Sequence, residues 1–217
     1  MKKLTILIVE DESELREQLV ESLEFYADTV YEADNGAMAW DLYKKYNPDI
    51  VMTDINMPKL SGLDLAKKIR ADNKKTKIII VSAYTDTTYL LRAVEMNLVT
   101  YLVKPIPMGK LRETMLKCIS DIEVEDSIMM PNGYRWGKRC DTLYLDDIEI
   151  KLTNYEMLFI KCLIKERGDT VTYETLHASI YDIQEYSQDA LSSIVKRLRK
   201  KTSKNLIISC YKVGYKI

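Results

Sequence analysis

One histidine, His177, is all the imidazole this chain has, so two-histidine metal sites are excluded and little is left for histidine-based catalysis. Its place beside Leu176 points to a packed side chain. The cysteines, Cys118, Cys140, Cys162 and Cys210, form no CxxC pair, which argues against a zinc site or a disulfide framework; reduced, structural thiols are expected. Long apolar runs are missing too. The N-terminal run Leu4 to Val9 ends in acid, far short of the about 20 residues of a membrane span, and nothing resembles a signal peptide. A cytoplasmic protein with no membrane partner is the expectation. No internal repeat or low-complexity segment occurs, and charge of neither sign dominates, the net being -1.

What is there is ordinary in bulk: 217 residues, 47% hydrophobic and 30% charged, enough for two domains of about 100 residues each. Charge is uneven along the chain. Residues 188–217 carry eight Lys or Arg against one acid, Asp189, so the C-terminal end suits a polyanionic partner.

Four short apolar runs in the first half each end in a polar or charged residue: LTILIVEDE in Glu10 and Asp11, DIVMTD in Asp54, KIIIVSA in Ser82, and TYLVKP in Lys104. Runs rich in Ile, Val and Leu that alternate with helical periods are the pattern of a parallel α/β sheet buried on both faces. The spacing predicts strands at 4–9, 29–33, 49–53, 77–81 and 99–103 and helices at 13–26, 36–46, 62–71, 86–96 and 108–122, the first with Ser13 as N-cap. In a doubly wound sheet of order 2-1-3-4-5, function sits beyond the carboxyl ends of the strands. Three carboxylates gathered there repel one another unless a cation joins them, and an all-oxygen donor set points to Mg²⁺.

Glu123 to Met130 breaks the pattern ahead of Pro131-Asn132-Gly133, and a linker is expected at 123–130, between domains at 1–122 and 131–217. Beyond it come short strands at 142–145 and 148–152, then a helix opened by the capping box of Thr153 and Glu156. A helix from Thr172, a third from about Ser187 to Lys201, and a hairpin of 206–210 and 213–217 follow. Helix, helix, helix, hairpin is the order of a winged helix-turn-helix. In the third helix Leu191, Ile194, Val195 and Leu198 form an apolar stripe, leaving Ser192, Ser193, Lys196, Arg199 and Lys200 on the outer face and Arg197 and Lys201 toward the flank. Such a helix fits the major groove of duplex DNA.

An Asp that attacks a phosphoryl donor needs a loop position, a metal to neutralise charge and a facing cation. Asp54, Glu10 with Asp11, and Lys104 supply these, and the Ser82 hydroxyl suits a phosphoryl oxygen. The Lys104–Pro105 bond is a candidate for the cis form, since the lysine has to turn back toward the site. Through Glu10-Asp11, the Asp54-Ile55-Asn56-Met57-Pro58 run with Gly62, Ser82-Ala83 and Lys104-Pro105, residues 1 to about 122 resemble the receiver domain of two-component response regulators. The resemblance implies a flavodoxin-like fold with Asp54 as phosphoacceptor and Asp11, Asp54 and the Asn56 backbone carbonyl as Mg²⁺ ligands. It further implies Glu10 acting through water, Ser82 and Lys104 contacting phosphate, and Ser82 and Tyr101 as switch residues.

Residues 131–217 resemble the effector domain of OmpR/PhoB-type regulators, in Leu152-Thr153 with Glu156, in Arg197-Leu198-Arg199-Lys200-Lys201 and in Val213-Gly214-Tyr215. The resemblance implies a sensor histidine kinase, double-stranded DNA and RNA polymerase as partners. It also implies a homodimer through the fourth helix, fifth strand and fifth helix. Two positions that are commonly acidic there are Val99 and Thr100, and Leu90, Leu91 and Leu98 add apolar surface, while Arg92, Glu95, Lys110 and Arg112 remain for ion pairs. The frequent Arg, Asp and His of the family's recognition helix fall on Asp189, Ser192 and Ile194, and the wing's usual Arg-Gly is Tyr211-Lys212, so base preference does not carry over. Ile194 suits either a thymine methyl or the core. A haloacid dehalogenase-type phosphatase would need a second Asp two residues after Asp54, where Asn56 stands, so an enzyme is not expected. The remaining rival is a regulator that works through protein contacts, with degenerate or phosphate-independent signalling.

Overall fold

A computed structural model describes residues 4–83, 100–181 and 188–217. The chain divides into two compact units that meet between Ile122 and Glu123, each with its own core.

In the first unit β1 (Thr5–Val9), β2 (Thr29–Ala33), β3 (Ile50–Asp54), β4 (Lys77–Ser82) and β5 (Thr100–Val103) form one parallel sheet of order 2-1-3-4-5. Side chains alternate across it, as the strand period requires. Ile6, Ile8, Ile50 and Met52 meet α1 (Ser13–Leu23) and α4 (Met108–Glu125) on one face through Leu19, Leu23, Leu111 and Met115. Leu7, Val9, Val51 and Ile78 meet α2 (Gly36–Tyr46) and α3 (Gly62–Asp72) on the other through Ala39, Tyr43, Leu65 and Ile69. Ser13, expected as the first N-cap, is instead the first helical residue; Glu12 holds the cap position and makes no side-chain cap bond. The helix expected at 86–96 lies outside the described residues, as do Leu90, Leu91, Arg92, Glu95, Leu98 and Val99.

The second unit opens on an antiparallel sheet of β6 (Ser127–Met129), β7 (Tyr134–Gly137), β8 (Thr142–Leu145) and β9 (Ile148–Ile150). The segment expected as a linker therefore carries ordered backbone: α4 runs on to Glu125 and β6 pairs with β7. Next come α5 (Asn154–Lys165), β10 (Val171–Thr172), α6 (Tyr173–Ile180) and α7 (Gln188–Lys201), then β11 (Ile208–Cys210) and β12 (Gly214–Lys216). The expected capping box is present at α5, where Thr153 Oγ1 accepts from the Glu156 N–H and Glu156 Oε2 accepts from the Thr153 N–H at 2.8 Å. The last three strands make a sheet of order β10-β12-β11, so β11 is an edge. Leu191, Ile194, Val195 and Leu198 of α7 all enter the core with Phe159, Leu176 and Tyr215, which assigns Ile194 to packing. His177 is buried and lies against the Tyr181 ring.

Candidate functional site

The parallel register brings the ends of β1, β3 and β5 to one edge of the first sheet. Glu10 and Asp11 leave β1, Asp54 ends β3, and Lys104 follows β5 directly and is joined to Pro105 by a cis bond. Lys104 Nζ lies 2.7 Å from Glu10 Oε2 and 2.6 Å from Asp54 Oδ2. One oxygen from each of Glu10, Asp11 and Asp54 lies within 4.8 Å of the other two. Burial of Glu10 raises its carboxyl above its ordinary value, against the pull of the Lys104 ammonium. Burial works on Lys104 in the opposite sense, but the Asp54 and Glu10 carboxylates outweigh it and raise the ammonium above its ordinary value.

The loop after β3 is held tightly. The Asn56 N–H donates to Asp54 Oδ1 at 3.4 Å, and the Gly62 N–H donates to the Ile55 carbonyl at 3.0 Å. Gly62 has to be glycine, because a Cβ there would stand 1.8 Å from the Asp54 carbonyl oxygen. Ser82 is fully buried, and its carbonyl accepts from the Lys104 N–H at 2.9 Å. Tyr101 is half-buried against the core that faces α2 and α3. Arg16, which carries no motif in the sequence, reaches over from α1: Nη1 donates to the Glu10 carbonyl at 2.8 Å and Nε lies 3.5 Å from Glu32.

Three carboxylates against one ammonium leave negative charge that a hard divalent cation would offset, and the donors are all oxygen, so the residues fit Mg²⁺. Glu10, Asp11 and Asp54 thus make an acidic cluster consistent with the Mg²⁺ site of a receiver.

In the second unit the basic run of α7 is sorted by its partners. Lys196, Lys200 and Ser193 are exposed. Lys201 Nζ lies 2.6 Å from Glu156 Oε2 and donates to the Lys151 carbonyl at 2.9 Å, while Arg197 Nε lies 3.5 Å from Glu156 Oε1. Arg199 turns to the hairpin, its Nη2 donating to the Ile207 carbonyl at 2.7 Å and to Ser209 Oγ at 2.9 Å. Arg199 also lines, with Ser192, Lys196, Lys200, Lys204 and Tyr215, a concavity of about 430 Å³. At the hairpin tip Tyr211 is 85% exposed, with the Lys212 ammonium 5.3 Å from its ring centre. The Glu156 pairs and the turn of Arg199 went unforeseen, since nothing local in the sequence marks a contact between α5 and α7 or between α7 and β11.

Two family models match the chain: the response regulator receiver domain over residues 6–116, and the C-terminal domain of transcriptional regulatory proteins over residues 147–217. Sensory transduction protein LytT of Oceanobacillus iheyensis is 35% identical over 122 residues, covering 52% of this chain and 50% of that protein, so the chain matches only half the length of this relative. Response regulator protein GraR of Staphylococcus epidermidis is 26% identical over 210 residues, covering 92% of this chain and 91% of that one. Among solved structures, the N-terminal domain of an uncharacterized protein from Wolinella succinogenes superposes with a TM-score of 0.51 at 36% identity, over 54% of this chain and 94% of that chain. Among the described residues, no helix is long and apolar enough to cross a membrane.

Proposed function

Because the chain belongs to the response regulators that join a receiver domain to a winged-helix DNA-binding domain of the OmpR/PhoB type, a family of transcriptional regulators rather than enzymes, we propose that a sensor histidine kinase phosphorylates Asp54 and thereby controls dimerisation and binding to promoter DNA. The receiver implies the kinase as partner and the C-terminal domain implies DNA. The working division is a receiver at 1–122 and an effector domain at 131–217, acting in the cytoplasm, with RNA polymerase as a further partner.

The observation that carries the phosphoacceptor role is the pair of short contacts from Lys104 to Asp54 and Glu10 at the carboxyl edge of the sheet. An Asp54 carboxylate oxygen bonds to phosphorus as the P–N bond of the kinase phosphohistidine breaks, and the imidazole leaves with the electron pair and takes a proton. Asp11, Asp54 and the Asn56 carbonyl would hold Mg²⁺, with Glu10 acting through water. When bound, the ion would neutralise charge on the transferring phosphoryl oxygens. Lys104 can exchange its carboxylate partners for a phosphoryl oxygen, and Ser82 offers a hydroxyl to another. Incubation with a small acyl-phosphate donor should label the wild type in the presence of Mg²⁺ and leave Asp54→Asn unlabelled; equal labelling of the two proteins would contradict the assignment.

Phosphorylation then biases an existing equilibrium through Ser82 and Tyr101 toward a dimer that uses β5 and α4 together with the segment expected as the fourth helix. Lys110 is engaged along its own helix with Glu113 at 3.0 Å, and Met108, Leu116 and Val103 are exposed on these two elements. An apolar character for this dimer follows. In the effector domain Ser193, Lys196 and Lys200 of α7 face the major groove and Arg197 flanks it, with Tyr211 and Lys212 of the hairpin at the adjacent backbone or minor groove; Arg199, expected in the same set, is turned to the hairpin instead.

A further inference from the structure

A basic run on a groove-reading helix is ordinarily counted as a set of equivalent phosphate contacts. The hydrogen bonds of α7 divide it. Lys196, Lys200 and Lys204 are exposed around one concavity, whereas Arg197 and Lys201 are drawn to Glu156. Arg199 lines the same concavity but is half-buried and already engaged within the domain: one guanidinium nitrogen serves both the Ile207 carbonyl and the Ser209 hydroxyl, and its Nε is buried with no hydrogen-bond partner among the described residues. Its two acceptors flank the start of β11, an edge strand of a three-stranded sheet, which among the described residues pairs with β12 alone. Three paired residues and an exposed tip are too little to fix a ribbon's direction on their own.

We propose that Arg199 is a positioning residue that sets the angle of the β11–β12 wing against the recognition helix, and that the mobile cations meeting DNA phosphates from this helix and the turn after it are Lys196, Lys200 and Lys204. The inference rests on the duplex-binding reading given above. A guanidinium suits the brace because the two N–H bonds of Nη2 lie fixed in its plane and hold both acceptors at set angles, while the freely rotating ammonium of a lysine does not. The lysines release condensed counterions as they meet phosphates. Arg199 already has its acceptors in the free protein.

The test uses the full chain with a mixed-sequence DNA duplex, reading affinity by fluorescence anisotropy across a salt series and amide hydrogen exchange across residues 208–213. Each lost phosphate contact lowers the salt slope by about 1. Lys200→Ala should therefore lower the slope by about 1 and leave wing exchange unchanged. Arg199→Ala should weaken binding and speed wing exchange severalfold at an unaltered slope. Arg199→Lys should behave like Arg199→Ala although it keeps the charge, and Ser209→Ala, which removes one acceptor and no cation, should speed wing exchange to a smaller degree. A slope that drops by about 1 in Arg199→Ala and returns in Arg199→Lys, with exchange unmoved, overturns the brace. An unchanged slope in Lys200→Ala overturns the lysine assignment, whereas a wild type that does not bind the duplex at any salt concentration sinks the duplex-binding reading instead, and wing exchange in the Arg199 variants still decides the brace.

Discussion

Glu156 has no exposed surface and yet stays charged. Burial alone would push its carboxyl up, but the Lys201 ammonium and the Thr153 N–H outweigh it and hold the group below its ordinary value of 4.5. A carboxyl depressed by folding contributes stability that is complete above its unfolded pKa and is lost as pH falls through the folded value. Thermal melts of the full chain should therefore show the effector transition falling as the solution is acidified below pH 4.5. Glu156→Gln keeps the cap but loses the ionic hydrogen bonds, so it should cost about 1–2 kcal/mol at neutral pH and flatten that acid limb; an unchanged limb would contradict the assignment. Lys212 offers the opposite case. It sits at φ +58° in the wing turn, where the family usually has glycine, and a left-handed conformation costs a side-chain-bearing residue about 1–2 kcal/mol. Lys212→Gly should accordingly raise effector stability by up to about 1 kcal/mol after glycine's own entropy is charged, and urea unfolding would check it.

At the level of elements, the loop from β3 to α3 is where a small change should do the most harm. A methyl at Gly62 would overlap the Asp54 carbonyl at 1.8 Å, and backbone, not a flexible side chain, would have to move. Gly62→Ala should destabilise the receiver by more than about 2 kcal/mol and depress acyl-phosphate labelling of the fraction that remains folded, read by denaturation and by phosphate incorporation together. This loop was legible in the sequence, as were β1, β3, β4 and β5, because each of those four apolar runs ends in a residue that the site needs; β2, part-exposed and without a site residue, was legible from its place in the alternation of strands and helices. The strands β6 and β7 were not. They are three and four residues long, β6 follows an acidic stretch continuous with α4, and what makes both strands is pairing across the sheet rather than any local period. Ser13 misled for a related reason: a hydroxyl after three acids looks like a cap, but the cap position falls one residue earlier, at Glu12. In the site itself, Glu10, Asp11, Asp54 and Lys104 were readable from strand ends. Arg16 was not, because its use depends on where α1 packs over the Glu10 carbonyl.

For the whole molecule, the surface expected to join two copies is less charged than the family pattern, with Val99 and Thr100 where acids are common and Leu116, Met108 and Val103 exposed. Sedimentation at tens of micromolar should find a dimer that persists when salt is raised beyond the range that screens surface ion pairs, roughly 0.15 M to 1 M; a monomer with and without acyl phosphate would count against it. Chemistry at Asp54 is expected to reach the DNA-binding surface. Coupling between distant sites is worth about 1–3 kcal/mol, roughly 5- to 150-fold in affinity. The most direct measurement is duplex affinity for the full chain and for Asp54→Asn, each with and without an acyl-phosphate donor and Mg²⁺, on a fragment selected by the wild type from a random pool. Donor and Mg²⁺ should tighten the wild type within that range and leave Asp54→Asn where it was, whereas equal affinity in all four mixtures, or equal tightening of both proteins, would contradict control through Asp54.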